Sequence, residues 1–216
     1  MTTTFTDIRS RITQVLEDPA GTRFSAGLLQ EAVRLALATL DQRLPRVLTT
    51  EINLGEGGRE LSLPAPANCL YLVSLNVRHG TRISKEMEPE VEFLYQYEGS
   101  QLLLHFSGRR LPRIGDILRL TYAASHKLQG LDGEEITTLP AAYESTLVNG
   151  AAGHACLLRA TLLTETYGTR PNEVSRLLQI SRLRLDEYNR TLSNLKVIQA
   201  FGFPPGFSLD ASLGDL

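Results

Sequence analysis

Apolar positions recur at helical intervals through the first 46 residues. Ile8, Ile12, Val15 and Leu16 share one face behind a Thr6-Asp7 start signal, and Asp18-Pro19-Ala20-Gly21 is turn chemistry that stops the run. Ser25 is placed to cap a second helix carrying Leu29, Val33, Ala36, Leu40 and Leu44 at spacings of three and four, and Pro45 ends it. Two short antiparallel helices are the simplest arrangement.

From Val47 to about Lys127 the period shortens to that of strands. Leu48–Asn53, Glu60–Leu63, Leu70–Val77, Glu90–Tyr97, Gln101–Phe106 and Ile117–Ala123 read as strands, with Glu56-Gly57-Gly58, Gly80-Thr81, Gly99-Ser100 and Gly108 to Gly115 between them. Leu102, Leu104 and Phe106 alternate with Leu103 and His105, as in a strand with one buried face. Glu98-Gly99-Ser100 lies between two such runs and signals a hairpin. Short strands of this kind fit a small antiparallel barrel or sandwich.

Two long helices follow. The first is capped by Thr138, tolerates Pro140 in its opening turn, and runs through Tyr143, Leu147, Ala151, His154, Leu158 and Leu162 to about Thr166, where Gly168 breaks it. The second starts near Pro171 and repeats Val174, Leu178, Ser181, Leu185, Tyr188, Leu192 and Leu195 at alternating spacings of four and three. Each would be roughly 35–40 Å long. The expected class is therefore α+β: a four-helix frame of residues 1–46 and 138–198, an inserted β-domain at 47–130, and an extended arm at 199–216. In that arm Phe201, Phe203 and Phe207 alternate with Gly202, Pro204, Pro205 and Gly206, which suits neither a helix nor a central strand. An apolar stretch of this kind favours docking, either on a partner or back on its own helices.

At 216 residues, 42% hydrophobic and 21% charged, the composition is that of a soluble globular protein of one large or two small domains. The net charge of −2 lacks the basic excess of a dedicated nucleic-acid binder. Cys69 and Cys156 stand far apart without metal-ligand spacing and read as small buried hydrophobes. The opening residues do not read as a signal peptide, and no apolar run is long enough to span a membrane, so a cytoplasmic origin is expected.

Catalytic signatures do not emerge either. His79, His105, His126 and His154 show no ligand spacing, and Gly55-Glu56-Gly57-Gly58 lacks the lysine and helix of a phosphate loop. Glu86, Glu88, Glu90 and Glu92 alternate, as on a solvated strand face. Asp132-Gly133-Glu134-Glu135 precedes a helix, where acidic groups complement the dipole. Phe93, Tyr95 and Tyr97 alternate as a buried cross-strand face would; with Tyr71 they could instead form an aromatic platform for a ligand such as a glycan. On the last helix Arg170, Arg176, Arg182, Arg184, Arg190 and Lys196 outnumber Glu173, Asp186 and Glu187. That face fits nucleic-acid contact, ion pairing with a neighbouring subunit, or plain solvation. No enzymatic activity, metal or cofactor is expected.

One resemblance spans about Leu16 to Ala155. Leu16-Glu17-Asp18-Pro19-Ala20-Gly21-Thr22-Arg23-Phe24-Ser25 followed by Leu28–Val33 resembles the opening of head–tail adaptor (connector) proteins of tailed bacteriophages. Leu120–Tyr122, His126, Gly130–Gly133 and Thr137–Pro140 resemble the segment that returns from the β-insert, and Val148–Ala155 is similar to the small-residue stretch of the main helix. The resemblance implies a virion protein of the neck, assembled in the bacterial host cytoplasm. It implies a ring, commonly twelve-fold, beneath the portal, with a stopper, tail-terminator or other neck protein below. Genome DNA would pass through its channel without sequence-specific contact, and no membrane would be involved. On this reading Phe201, Phe203, Pro204, Pro205, Phe207 and Leu209 are candidate portal contacts. Gly150, Ala151, Gly153, Arg176, Arg184, Glu173 and Asp186 are candidate subunit contacts. A stopper or tail-completion protein is the alternative. The β-insert departs from the smallest, all-helical adaptors.

Overall fold

Thr4, rather than Thr6, starts the first helix. In the computed structural model, which describes residues 3–78, 92–107, 111–165 and 171–200, α1 spans Phe5–Val15. The Asp7 N–H donates to Thr4 Oγ1 at 3.3 Å and the Thr4 N–H donates to Asp7 Oδ2 at 2.8 Å. This reciprocal box needs partners three positions apart, a spacing that Thr4 and Asp7 have and adjacent Thr6 lacks. Helix α2 spans Ala26–Arg43 behind the expected Ser25 cap, whose hydroxyl accepts from the Leu28 N–H.

Helix α3 spans Ala141–Thr164 and α4 spans Pro171–Ala200. At 1.5 Å per residue their lengths are about 36 and 45 Å. The N-cap of α3 is Pro140, without a side-chain bond. Thr138 is used elsewhere: its hydroxyl accepts from the Lys127 N–H at 2.7 Å, closing the loop that leads into the helix. Helix α4 continues two residues into the stretch expected to be arm.

The chain divides into two units, Met1–Leu44 with His126–Leu216, and Pro45–Ser125. The insert thus returns to the helical unit at His126, not after residue 130. The cause is visible at His126, whose backbone N–H and ring Nδ1 both meet Asp41 of α2, at 2.9 and 2.7 Å.

In the helical unit α3 touches α1, α2 and α4. A helix with three helical neighbours has little face left for solvent, which explains its run of small and apolar residues. Ile8 and Ile12 of α1, Leu29, Val33 and Leu40 of α2, Leu147, Ala151 and Ala155 of α3, and Tyr188 and Leu192 of α4 form one buried cluster. On α4 the heptad pattern is only partly used. Ser181, Tyr188 and Leu192 are buried, whereas Leu178 is exposed.

The inserted unit holds β1 (Arg46–Asn53), β2 (Glu60–Pro64), β3 (Cys69–Arg78), β4 (Phe93–Glu98), β5 (Gln101–Phe106) and β6 (Ile117–Ala124). They form two antiparallel three-stranded sheets, ordered β1-β6-β3 and β2-β5-β4. The result is two open sheets rather than a closed barrel. Leu72, Leu75 and Leu120 of one sheet share a core with Leu61, Leu102 and Leu104 of the other. The β4–β5 hairpin turns on Gly99-Ser100, with Gly99 at φ 59°, a backbone geometry that glycine adopts without penalty.

Candidate functional site

The Asp18–Ser25 segment, where the resemblance begins, is organised around one carboxylate. Asp18 is 3% exposed. Its Oδ1 accepts from the Thr22 N–H and hydroxyl, at 3.1 and 3.0 Å, and its Oδ2 accepts from the Arg23 and Phe24 N–H groups, both at 2.9 Å. Burial pushes this carboxyl up, but the bonds from Phe24, Arg23 and Thr22 outweigh it and hold the group below the usual carboxylate range. Arg23 then turns back, and its guanidinium donates to the Leu16 and Glu17 carbonyls at 2.8 Å each. Those carbonyls follow the last turn of α1 and would otherwise lack partners. The segment is thus a rigid joint between α1 and α2.

Beside that joint lies a cleft of about 370 Å³. Its apolar lining comes from Leu16, Phe24, Leu177 and Ile180, and its charge from Arg23, Arg159, Arg176 and Arg184 against Glu17 and Glu173. Four cations against two anions leave an excess of +2. Arg184 donates to Asn149 Oδ1 at 2.8 Å, while its Nε is buried with no partner among the described residues. Cys156 also lines the cleft, with its thiol pushed up by burial despite Arg184 and Arg23.

The sequence-derived candidates fall into three groups. Phe201, Phe203, Pro204, Pro205, Phe207 and Leu209 lie outside the described residues. Gly150, Ala151 and Gly153 are interior. A Cβ on Gly150 would stand 2.8 Å from ring atoms of Tyr188, and one on Gly153 would stand 2.9 Å from Leu185 Cγ. The close helix approach expected between subunits is therefore made by α3 and α4 of a single chain. Among the charged candidates, Glu173, Arg176 and Arg184 gather at the cleft, whereas exposed Asp186 does not line it. Sequence reading missed Arg23 and Arg159 as their companions, because three separate elements contribute to the cleft.

Other candidate chemistry is spent on structure. Asp132 does not complement a helix start; it takes Arg34 of α2, whose guanidinium holds its carboxyl low, while Glu134 pairs with Lys127 at 2.8 Å. The buried His126–Asp41 pair ties the returning segment to α2. The Tyr188 hydroxyl donates to the Ala36 carbonyl at 2.6 Å, and burial pushes its ionisation far up. His105 stands 3.4 Å from Glu60 on the surface, and His154 is half-buried. His79, Glu86, Glu88 and Glu90 lie outside the described residues. Tyr71, Tyr95 and Tyr97 are each about 40% exposed, so the aromatic row of β4 is not the fully buried face expected. The Tyr97 hydroxyl meets Cys69 Sγ at 2.9 Å. Among the described residues no group of three His, Cys, Asp or Glu could hold a metal, and no helix is long and apolar enough to cross a membrane.

Compared with known proteins, no family model and no curated protein sequence matches the chain. Among solved structures, it is similar to a chain of the neck of an empty GTA particle computed with C6 symmetry. The identity is 17%, covering 81% of this chain and 87% of that chain, with a TM-score of 0.29.

Proposed function

We propose that this chain is a structural protein of a tailed-phage neck, a head–tail adaptor that forms a ring beneath the portal and leaves a channel for the genome. One observation carries the reading. The segments that resemble connector proteins on either side of the 81-residue insert Pro45–Ser125 supply a single helical core. Leu16 and Phe24 of the joint, Leu29 and Val33 of α2, Leu131 and Leu139 of the returning segment, and Val148 and Ala151 of α3 all belong to it. A resemblance of scattered surface motifs would not converge in this way.

The role is architectural rather than enzymatic. The carboxylate, imidazole and phenol that would draw attention as catalysts, at Asp18, Asp41–His126 and Tyr188, hold one helix or loop to another. Long α3 and α4 suit the wall of a ring, and a near-neutral net charge of −2 suits a channel through which phosphates must slide. Phe201, Phe203 and Phe207 with their prolines are the candidate grip on the portal.

Co-sedimentation of the purified protein with portal rings tests this. The full chain is expected to sediment with the portal, and a chain ending at Ala200 is expected to stay folded by circular dichroism but remain in the supernatant. A truncated chain that still binds would remove the arm from the interface. A full chain that ignores portal rings but binds the head-facing end of isolated tails would make it a tail-completion protein instead.

A further inference from the structure

We infer that the arginine-lined cleft receives the Glu135-Ile136 tip of a second copy of this chain, in a head-to-tail contact. The inference deepens the ring of the proposed function and rests on that reading for its partner. Ile136 is 59% exposed, and Glu135 is exposed beside it with no ion pair among the described residues. The loop that carries them is held in place. The Gln129 N–H donates to Thr137 Oγ1 at 2.9 Å, the Gly130 N–H to the Glu134 carbonyl at 2.8 Å, and the Thr138 N–H to the Lys127 carbonyl at 2.9 Å. An apolar knob fixed in this way loses little freedom on docking.

The cleft is its complement. Leu16, Phe24, Leu177 and Ile180 offer an apolar seat, and an excess of two positive charges surrounds it. Arg23 and Arg184 already donate within the chain. That leaves exposed Arg176 and half-buried Arg159, without ion pairs among the described residues, to meet a carboxylate. A nucleic-acid backbone fits less well, because Glu17 and Glu173 would repel phosphates and the apolar seat would stay empty.

Position rules out docking within one chain. The Phe5 N–H donates to the Gln129 carbonyl at 2.8 Å, so the loop lies at the start of α1 and precedes α3. The cleft is lined by Val15 and Leu16 at the end of α1 and by Cys156 and Arg159 of α3. From Ala141 to Arg159 is about 27 Å along α3. Knob and cleft therefore sit at opposite ends of the same helices. A contact between two unlike surfaces passes from copy to copy, and closes into a ring where the rotation allows.

The chain contains no tryptophan, so an Ile136→Trp chain at low concentration serves as a tracer. Excess Ile136→Asp chain keeps the cleft but cannot dock on itself, and is silent when tryptophan alone is excited. Adding it is expected to shift the tracer emission to shorter wavelength and to reduce quenching by a soluble quencher. Placing Arg176→Glu in the excess chain should abolish the shift, and adding Glu135→Arg to the tracer should restore it, with circular dichroism unchanged throughout. Should Arg176→Glu disturb folding, Arg176→Gln in the excess chain is expected to weaken the shift. No shift with the open cleft in excess would overturn the inference, and retention of a labelled DNA duplex by the same chain would give the cleft to nucleic acid instead. A shift indifferent to Arg176 would also overturn it, since the tip would then seat elsewhere. Either failure leaves the portal sedimentation test standing, because no portal takes part.

Discussion

Gly150→Ala measures a close contact between α3 and α4. The new Cβ would stand 2.8 Å from Cδ1, Cε1 and Cζ of Tyr188, whereas carbons settle at about 3.5–4.0 Å. The ring must therefore retreat by about 1 Å. Its freedom to do so is small, because Tyr188 is 1% exposed and its hydroxyl is anchored to the Ala36 carbonyl at 2.6 Å. Overpacking of this kind costs about 1–3 kcal/mol, and stretching the buried hydrogen bond costs about 0.5–1.5 kcal/mol more. Replacing a helical glycine by alanine returns about 1 kcal/mol. The net loss is about 0.5–3.5 kcal/mol. Urea unfolding followed by far-ultraviolet circular dichroism reads it as a lower midpoint at unchanged slope. Tyr188→Leu supplies the control, because without the ring Gly150→Ala should be neutral or stabilising. Gly153→Ala should cost less, since it meets the half-buried Leu185 side chain rather than a pinned ring. A Gly150→Ala protein as stable as the parent, or one equally weakened with and without the ring, would refute the contact as described.

Three further outcomes follow from the same structure. Asp41→Ala leaves the buried His126 N–H and ring without their acceptor, which should cost about 2–4 kcal/mol in the same unfolding assay. His154 has its folded-state value lowered by burial from the ordinary 6.5. The unfolded chain therefore binds the extra proton first, so stability is complete above about pH 7 and falls as the pH drops through 6.5 and below; His154→Gln should flatten that decline, and an unchanged profile would remove His154 as its cause. Asp18→Asn turns an amide toward N–H groups that now meet a carboxylate oxygen, so the variant should be less stable at neutral pH. It should also lose part of the acid sensitivity that the lowered Asp18 value imposes below about pH 4.

How far the structure could be read from sequence depended on whether the information was local. Strand β5 was legible to its last residue, because alternation of Leu102, Leu104 and Phe106 with Leu103 and His105 is a signal within six residues. Ser25 was legible as a cap for the same reason, and the Asp18 turn announced itself by its composition. The α1 start was misplaced by two residues, because its box links Thr4 to Asp7 and any nearby threonine resembles a cap. Small residues at Gly150, Ala151 and Gly153 correctly signalled close approach, but composition does not say whose helix approaches. That partner is Tyr188 and Leu185 of the same chain. The two sheets followed from strand count only up to their pairing, since β6 pairs with β1 across more than 60 residues and with β3 across about 40–55. Glu173, Arg176 and Arg184 of the cleft were legible as a charged face of α4, whereas their companions Arg23 and Arg159 and the Asp41–His126 pair were not. Cleft and pair alike join groups that only packing brings together.

The proposed joining role in a virion is tested most directly by electron microscopy of the lysate from a phage with a stop codon early in this gene. Filled or leaking heads alongside separate, complete tails are expected. Intact tailed particles in normal yield would contradict it.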